Sequence, residues 1–190
     1  MANKVLFGIS NLHVGTYTET VTTSGTTVTL GTPYHQKGAV SFSPSENSER
    51  NDFYADNIAY YTSYAGGTIE GDLVVAMFDD KFKTDFLGYK TLTNGGLALV
   101  KNVEKPRVYI AFEVKGDAEE RRVILYNATF GALTREYSTI EDTKEPQTAS
   151  LTFTAIGDVN TGVTMATLKP TDSGYSTLFT APTAPVIATT

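Results

Sequence analysis

The sequence predicts a mainly β protein, a β-sandwich or barrel of one domain with a single flanking helix. Three observations support this fold class. The chain is rich in threonine, tyrosine and valine, which favour strands. Glycine and proline recur between the candidate strands. Several stretches also alternate polar and apolar residues with the period of two that a half-buried strand requires.

The clearest strand covers residues 107–115, where Val108, Ile110 and Phe112 face one side and mostly polar residues face the other. A charged turn separates it from a second strand, residues 121–130, so the two are predicted to form a hairpin. The strands at 26–30 and 38–42 are expected to pair with each other. The remaining predicted strands are residues 5–17, 67–78, 148–157, 163–168 and 175–179.

One helix is predicted from Asp79 to Leu87. An aspartate at its start can cap the first turn, and a glycine follows its end. Apolar residues recur along it at helical spacing, so one side of the helix is expected to pack into the core. The residues of this stripe are Phe78, Phe82, Phe86 and Leu87.

The segment from Ser43 to Ala65 is predicted to be a long loop. At this length it is unusual for a connection within a compact domain, and its second half is too aromatic for a disordered linker. Exposed aromatic groups tend to form interfaces, although these tyrosines could instead fold back on their own sheet. The residues expected to form the interface are Phe53, Tyr54, Asp56, Asn57, Tyr60, Tyr61 and Tyr64.

The domain is predicted to span residues 1–180, followed by a flexible, extended tail at 181–190 that is rich in proline, threonine and alanine. The N-terminus begins like a signal peptide, but polar residues follow Gly8 before an apolar region of sufficient length can form. The longest apolar run, residues 73–78, is far shorter than the roughly 20 residues that span a bilayer. We therefore expect a protein made and kept in the cytoplasm.

The composition argues against most chemical functions. The chain has no cysteine, which excludes a thiolate zinc site and a cysteine nucleophile. A net charge of −6 argues against a basic groove that binds phosphates. Its two histidines, His13 and His35, lack the spacing of a metal pair, and no Gly-x-Ser-x-Gly motif is present. We expect no catalytic residues, no cofactor, no metal and no small-molecule substrate.

The order of several motifs resembles a known family. Residues 53–57 (FYADN) precede a tyrosine-rich run, then Gly67-x-x-x-Gly71 and the predicted helix ending in Leu87-Gly88, and residues 146–155 follow as PQTASLTFTA. This order, over roughly residues 5–157, is similar to the major tail protein (tail tube protein) family of long-tailed phages of Gram-positive bacteria. The resemblance implies a tail-tube β-sandwich with a flanking helix.

The resemblance also implies a structural virion protein that binds copies of itself. It would form hexameric rings that stack into a tube, which DNA crosses without specific binding, and its long loop would reach a neighbouring ring or subunit. The implied partners are the tape-measure protein, the tail terminator and the distal tail protein, with no membrane involved. An acidic or neutral inner wall would repel the phosphate backbone. The residues expected to face the lumen are Thr68, Glu70, Asp72, Ser150, Thr152 and Thr154, with the helix on the outer side.

Two other classes of function remain open. The first is another virion assembly protein, such as a tail terminator or capsid decoration protein, which would form a single ring or a closed trimer. The second is a cytoplasmic β-sandwich that acts as a binding module or a hydrolase. That function would require His13 or His35 to converge with carboxylates in a pocket.

Overall fold

The computed structural model describes residues 8–23, 25–55, 58–135, 137, 139 and 147–188. Within the strands, only the backbone is described for residues 49–51, 53–55, 59 and 62–65. The described residues are mainly β, which confirms the predicted fold class. The elements are β1 (Gly8–Thr22), β2 (Gly25–Leu30), β3 (Tyr34–His35), β4 (Ala39–Ala55), β5 (Ile58–Val75), α1 (Asp80–Phe86), β6 (Lys90–Thr91), β7 (Leu97–Ala98), β8 (Val108–Lys115), β9 (Arg122–Arg135), β10 (Ala149–Ala155) and β11 (Met165–Leu168).

One antiparallel sheet contains most of these strands, in the order β2-β1-β8-β9-β10-β5-β4. Strand β3 also pairs with β1 and β11 with β9, whereas β6 and β7 pair only with each other. The sheet folds back on itself. Phe42 of β4 stacks on Phe153 with ring centroids 4.7 Å apart, and its centroid lies 4.9 Å from that of Phe112 on β8. The two halves of the sheet therefore enclose a core between them.

The main core lies on the apolar side of the strands, and α1 packs against it. The helix follows Asp79 as its N-cap residue and ends at Phe86, close to the predicted bounds. The Asp79 carboxylate does not cap the first turn. It accepts a hydrogen bond from the Tyr34 hydroxyl instead. The predicted apolar stripe is buried, at 3% exposure or less: Phe78, Phe82, Phe86 and Leu87. Among the described residues, no helix is long and apolar enough to cross a membrane.

A second hydrophobic cluster lies on the opposite face of β8. The sequence suggests a polar face here, but Tyr109 is fully buried and packs with Ile124, Tyr126 and Leu178. The C-terminal part of the chain covers this face. Its residues 175–179, predicted as a strand, form turns closed by local hydrogen bonds, such as that from Thr180 N to Thr177 O at 3.0 Å. Residues 182–188 have no regular secondary structure.

Two predicted connections are wrong. Residues 26–30 do not pair with residues 38–42, because a tight turn between Thr22 and Gly25 returns β2 along β1. The segment from Ser43 to Ala65 is not a loop, because β4 and β5 form one long antiparallel hairpin through it. Backbone pairing needs no apolar face, so a polar segment such as this one can form a strand without the alternation that predicts one.

Among the described residues, no third strand pairs with the outer part of the β4–β5 hairpin. Strand β10 pairs with β5 only from Ile69 to Val75, and the rest of β5 pairs with β4 alone. We call residues 47–68 the arm; residues 56 and 57 within it lie outside the described part of the chain. The arm is therefore a two-stranded ribbon that continues from the wider sheet.

The core predicts that Phe82→Ala destabilises the domain by about 3–5 kcal/mol. Phe82 is 0% exposed, and its ring centroid lies 4.8 Å from that of Phe78, 5.1 Å from that of Phe86 and 5.7 Å from that of Phe130. Urea denaturation followed by circular dichroism measures the loss. The matched control is Lys81→Ala on the same helix, whose side chain is 66% exposed; this change should cost about 1 kcal/mol or less. Equal losses for the two variants would contradict the packing of α1 against the core.

Candidate functional site

The arm exposes aromatic side chains near its tip. Tyr60 is 75% exposed and Tyr61 is 62% exposed. The register of β4 and β5 shifts between Phe53 and Tyr54, so Tyr60 lies at a bulge, where the regular alternation of side chains along β5 is interrupted. Ile58, at the start of the same strand, is 62% exposed as well. The described part of the chain therefore leaves these three side chains largely exposed near the arm tip.

The other residues predicted for this interface also lie along the arm. Phe53 lies opposite Tyr61 in the strand register, and Tyr64 lies opposite Arg50. For Phe53, Tyr54 and Tyr64 only the strand position is described. Asp56 and Asn57 lie outside the described residues. The structure thus brings the predicted aromatic positions together on two paired strands, rather than on an irregular loop.

The six residues predicted to face a lumen share one face of the sheet. Along β5 they alternate with the buried Ile69 and Leu73, and along β10 they alternate with the buried Leu151 and Phe153. The two sets also face each other across strands, because Thr154 lies opposite Glu70. The residues, at least partly exposed in every case, are Thr68, Glu70, Asp72, Ser150, Thr152 and Thr154.

Strand β4 extends this polar face with residues that the sequence reasoning missed. Ser45 lies opposite Glu70, and Ser43 lies opposite Asp72. The signal was present in the sequence, since serine occurs at every second position from Ser41 to Ser45. We call the polar side of β4, β5 and β10 the polar face. Its carboxylates are Glu70 and Asp72, set among hydroxyl groups.

Helix α1 lies on the side of the sheet opposite to the polar face. The Phe82 ring packs against Phe130 of β9, which lies opposite Phe153 of β10 in the register. Phe153 alternates with Thr152 and Thr154, so the helix and these hydroxyl groups lie on different sides of the sheet. The sequence predicts this same arrangement, with the helix and the polar residues on opposite sides of the sheet.

The two histidines lie next to each other in the sheet. His13 and His35 are paired across β1 and β3, with stacked rings 4.7 Å apart. His13 Nδ1 donates a hydrogen bond of 2.8 Å to the carbonyl of Asn11. Burial lowers the pKa of His13 below its usual value, and the nearby His35 and Arg122 lower it further. The other face of the His13 ring stacks on Phe179. Among the described residues, the groups that act electrostatically on His13 are His35 and Arg122, and no carboxylate is one of them.

The described part of the chain offers no metal site, since no group of three or more acidic or histidine side chains is placed to hold an ion. The buried Asp158 has a structural environment instead. It accepts a hydrogen bond of 2.8 Å from the Tyr17 hydroxyl, and it also accepts bonds from the backbone N–H groups of Asn160 and Thr161. Burial raises the pKa of Tyr17 to about 12, so this hydroxyl stays protonated as a donor. The network anchors the segment after β10 onto β1.

One protein family matches the chain over most of its length. A family profile described as phage tail tube protein matches residues 2–164 of the chain. Among solved structures, the chain is similar to the tube-terminating cap of the anti-feeding prophage, with 11% identity and a TM-score of 0.50; the match covers 89% of this chain and 96% of that chain. A component of the baseplate structure of the same particle matches with 8% identity and a TM-score of 0.44, over 90% of this chain and 99% of that one. No curated protein matches the sequence.

Gly71 sets the spacing between β4 and β5 at the base of the arm. A Cβ atom at this position would lie 2.1 Å from the carbonyl oxygen of Ser43 and 2.9 Å from its carbonyl carbon. Because these atoms belong to the backbone, they cannot move without separating the strands. We predict that Gly71→Ala destabilises the protein by about 1–3 kcal/mol, measured by urea denaturation.

The matched control is Gly66→Ala on the same strand. A Cβ atom there would meet only the Ser48 side chain closely, at 3.2 Å from its Cβ. This variant should therefore lose clearly less stability than Gly71→Ala. A Gly71→Ala protein as stable as the Gly66→Ala protein would show that the close approach of the two strands is not required.

Proposed function

Because the chain belongs to the phage tail tube protein family, we propose that its copies assemble into hexameric rings, which stack into the tube that DNA crosses during ejection. Membership of this family makes the protein a structural component of a phage tail. The proposal assigns no catalytic role to any residue. The single observation that carries self-assembly is the arm, with Tyr60 and Tyr61 exposed near its tip.

The energetics of the arm favour contact with another copy. A two-stranded ribbon on its own is marginally stable in water and gains stability from a third strand or a packed surface. Among the described strands, only β4 pairs with residues 58–68 of β5, and Tyr60 and Tyr61 are exposed. Burial of Tyr60 and Tyr61 against a neighbouring subunit would contribute roughly 1–3 kcal/mol for each side chain. The arm is therefore suited to hold neighbouring subunits or rings together.

The open edges of the sheet suit lateral association. Strands β2 and β4 lie at the two ends of the strand order. An open edge presents unpaired backbone groups, and a closed ring of sheets removes such edges. Lateral contacts between copies near these strands would close the ring, while the arm would contact the ring above or below.

The polar face is suited to line the lumen. Its carboxylates, Glu70 and Asp72, would repel the DNA phosphates, and its hydroxyl groups would keep the wall hydrated. Because α1 lies on the other side of the sheet, it would lie toward the outside of the tube. The tape-measure protein would occupy this lumen before DNA, and the tail terminator and distal tail protein would bind the two ends. Assembly would take place in the host cytoplasm.

Negative-stain electron microscopy of the purified protein at high concentration tests the proposal directly. We expect hollow tubes of uniform diameter and variable length. Single closed rings or trimers would instead indicate a tail terminator or a capsid decoration protein. A protein that stays monomeric at high concentration, and also in the presence of tail initiation proteins, would contradict self-assembly.

The arm predicts that Tyr60→Ala combined with Tyr61→Ala blocks tube formation without destabilising the monomer. Loss of both contacts should raise the concentration needed for assembly by roughly thirtyfold or more, which corresponds to about 2 kcal/mol. Sedimentation of polymer at increasing protein concentrations measures this shift. The control is Leu99→Ala, since Leu99 is 67% exposed outside the arm and outside the edge strands β2 and β4. Normal tubes from the double tyrosine variant would contradict the role of the arm.

The polar face predicts that Glu70→Lys combined with Asp72→Lys preserves tube formation but impedes DNA passage. Lysines in the lumen would attract the phosphates, so ejection should slow by about tenfold or more at low salt. The rate of genome release from virions carrying the variant measures this effect. Glu104→Lys combined with Glu120→Lys makes the same change in net charge at exposed positions elsewhere. Ejection at the normal rate from the Glu70 and Asp72 variant would contradict a lumen-facing position.

A further inference from the structure

The C-terminal part of the chain crosses the second hydrophobic cluster as a short cover. We call residues 169–181 the strap. Leu178 inserts its side chain beside Tyr109 and Tyr126, and it is 3% exposed. The strap contains turns and no strand, so no sheet ladder connects it to the rest of the protein. It is held by side-chain contacts, which makes its attachment dependent on a few groups.

A series of stacked groups forms the main attachment of the strap. The His13 ring lies between His35, at a centroid distance of 4.7 Å, and Phe179 of the strap, at 4.6 Å. The guanidinium carbon of Arg122 lies 4.5 Å from the centroid of the Phe179 ring and 3.9 Å from that of Tyr175. Two hydrogen bonds add to this attachment, from Arg122 to the Tyr175 carbonyl at 2.5 Å and from the Tyr175 hydroxyl to the Glu120 carbonyl at 2.7 Å. An ion pair between Lys169 Nζ of the strap and the Glu119 carboxylate, at 2.9 Å, adds a further contact.

The surroundings of His13 favour its neutral form. His13 is 9% exposed, and the titratable or charged groups that act on it are His35 from β3 and Arg122 from β9. Glu113 of β8 lies beside Arg122, with 3.9 Å between its carboxylate oxygen and Arg122 Nε. The strap contributes only the uncharged ring of Phe179 to this stack. A proton on His13 would therefore add positive charge next to Arg122 in a place with little water.

We propose that the strap is a releasable cover, latched by the stack of His35, His13 and Phe179, and that acid opens it by protonating His13. Once the strap is released, the His13 side chain is exposed to water and has its ordinary affinity for protons. The strap is therefore bound most strongly to the second hydrophobic cluster above about pH 6.5, the ordinary pKa of histidine, and its binding weakens as the pH falls below this value. Release would expose the second cluster, including Tyr109, Ile124 and Tyr126.

Amide hydrogen exchange of the full-length protein, in dilute samples shown by light scattering to be monomeric, tests this proposal. Strap amides with local hydrogen bonds report release: Thr180 N to Thr177 O at 3.0 Å and Ala181 N to Thr177 O at 2.7 Å. Protection is measured relative to an unstructured peptide at the same pH, which removes the intrinsic pH dependence of exchange. Between about pH 7.5 and pH 5, we expect strap protection to fall severalfold, because the released form of the strap takes up a proton that the docked form disfavours. Protection of Leu151 in the core should stay unchanged.

His13→Phe is the matched variant, because it keeps an aromatic ring in the stack and cannot take up a proton. Its strap should have the same protection at both pH values. A wild-type strap equally protected at both pH values would overturn the proposal. A His13→Phe strap that loses protection as the wild type does would overturn it as well.

Phe179→Leu provides a second test that does not alter the β1–β3 core. It removes the strap's ring from the stack, so strap protection should fall by about tenfold already at neutral pH. Circular dichroism checks that the sheet is retained. If the Phe179→Leu strap remained as protected as the wild type at neutral pH, the stack would not be the latch.

Discussion

The fold depends on the aromatic layer that the two halves of the sheet enclose. Phe42, Phe112 and Phe153 meet in this layer, although they belong to strands that are not neighbours in the sheet. One side of β4, β5 and β10 packs into this layer. Because successive side chains of a strand point to opposite faces, every second residue of these strands lies on the other side of the sheet. The polar face is therefore a direct consequence of core burial, and the position of α1 follows from the same alternation.

Strands and helices that bury one side produce a periodic pattern of apolar residues, and these elements could be predicted from the sequence. Residues of β8 and β10 alternate with period two, and the apolar stripe of α1 repeats at helical spacing, so their positions were close to those observed. The β4–β5 hairpin left no such pattern, because in the arm it is held by backbone pairing. The second hydrophobic cluster was not predicted, because tyrosine carries a hydroxyl group and Tyr109 was therefore assigned to the polar side of β8. The residue that covers this cluster, Leu178, belongs to the strap, which is distant in sequence.

The candidate site was predictable to a similar degree. The six residues predicted to face a lumen share one face because alternation along each strand is a local rule, and the exposed Tyr60 and Tyr61 follow from the unusual concentration of aromatic residues. The pairing of His13 with His35 was not predictable. It depends on β3, a strand of only two residues, and on its register against β1. Long-range register of this kind is set by tertiary packing and has no signature in local sequence.

The two-stranded arm has a consequence for the kinetics of polymer growth. If copies join through the arm, as we propose, the first subunits to meet must order their arms, and the few contacts they form offset little of that free-energy cost. Later subunits add to a surface that is already formed. Growth would then begin after a lag, which preformed seeds would abolish. A phage could in this way store soluble subunits at high concentration and begin a tube only where an initiating complex provides the seed.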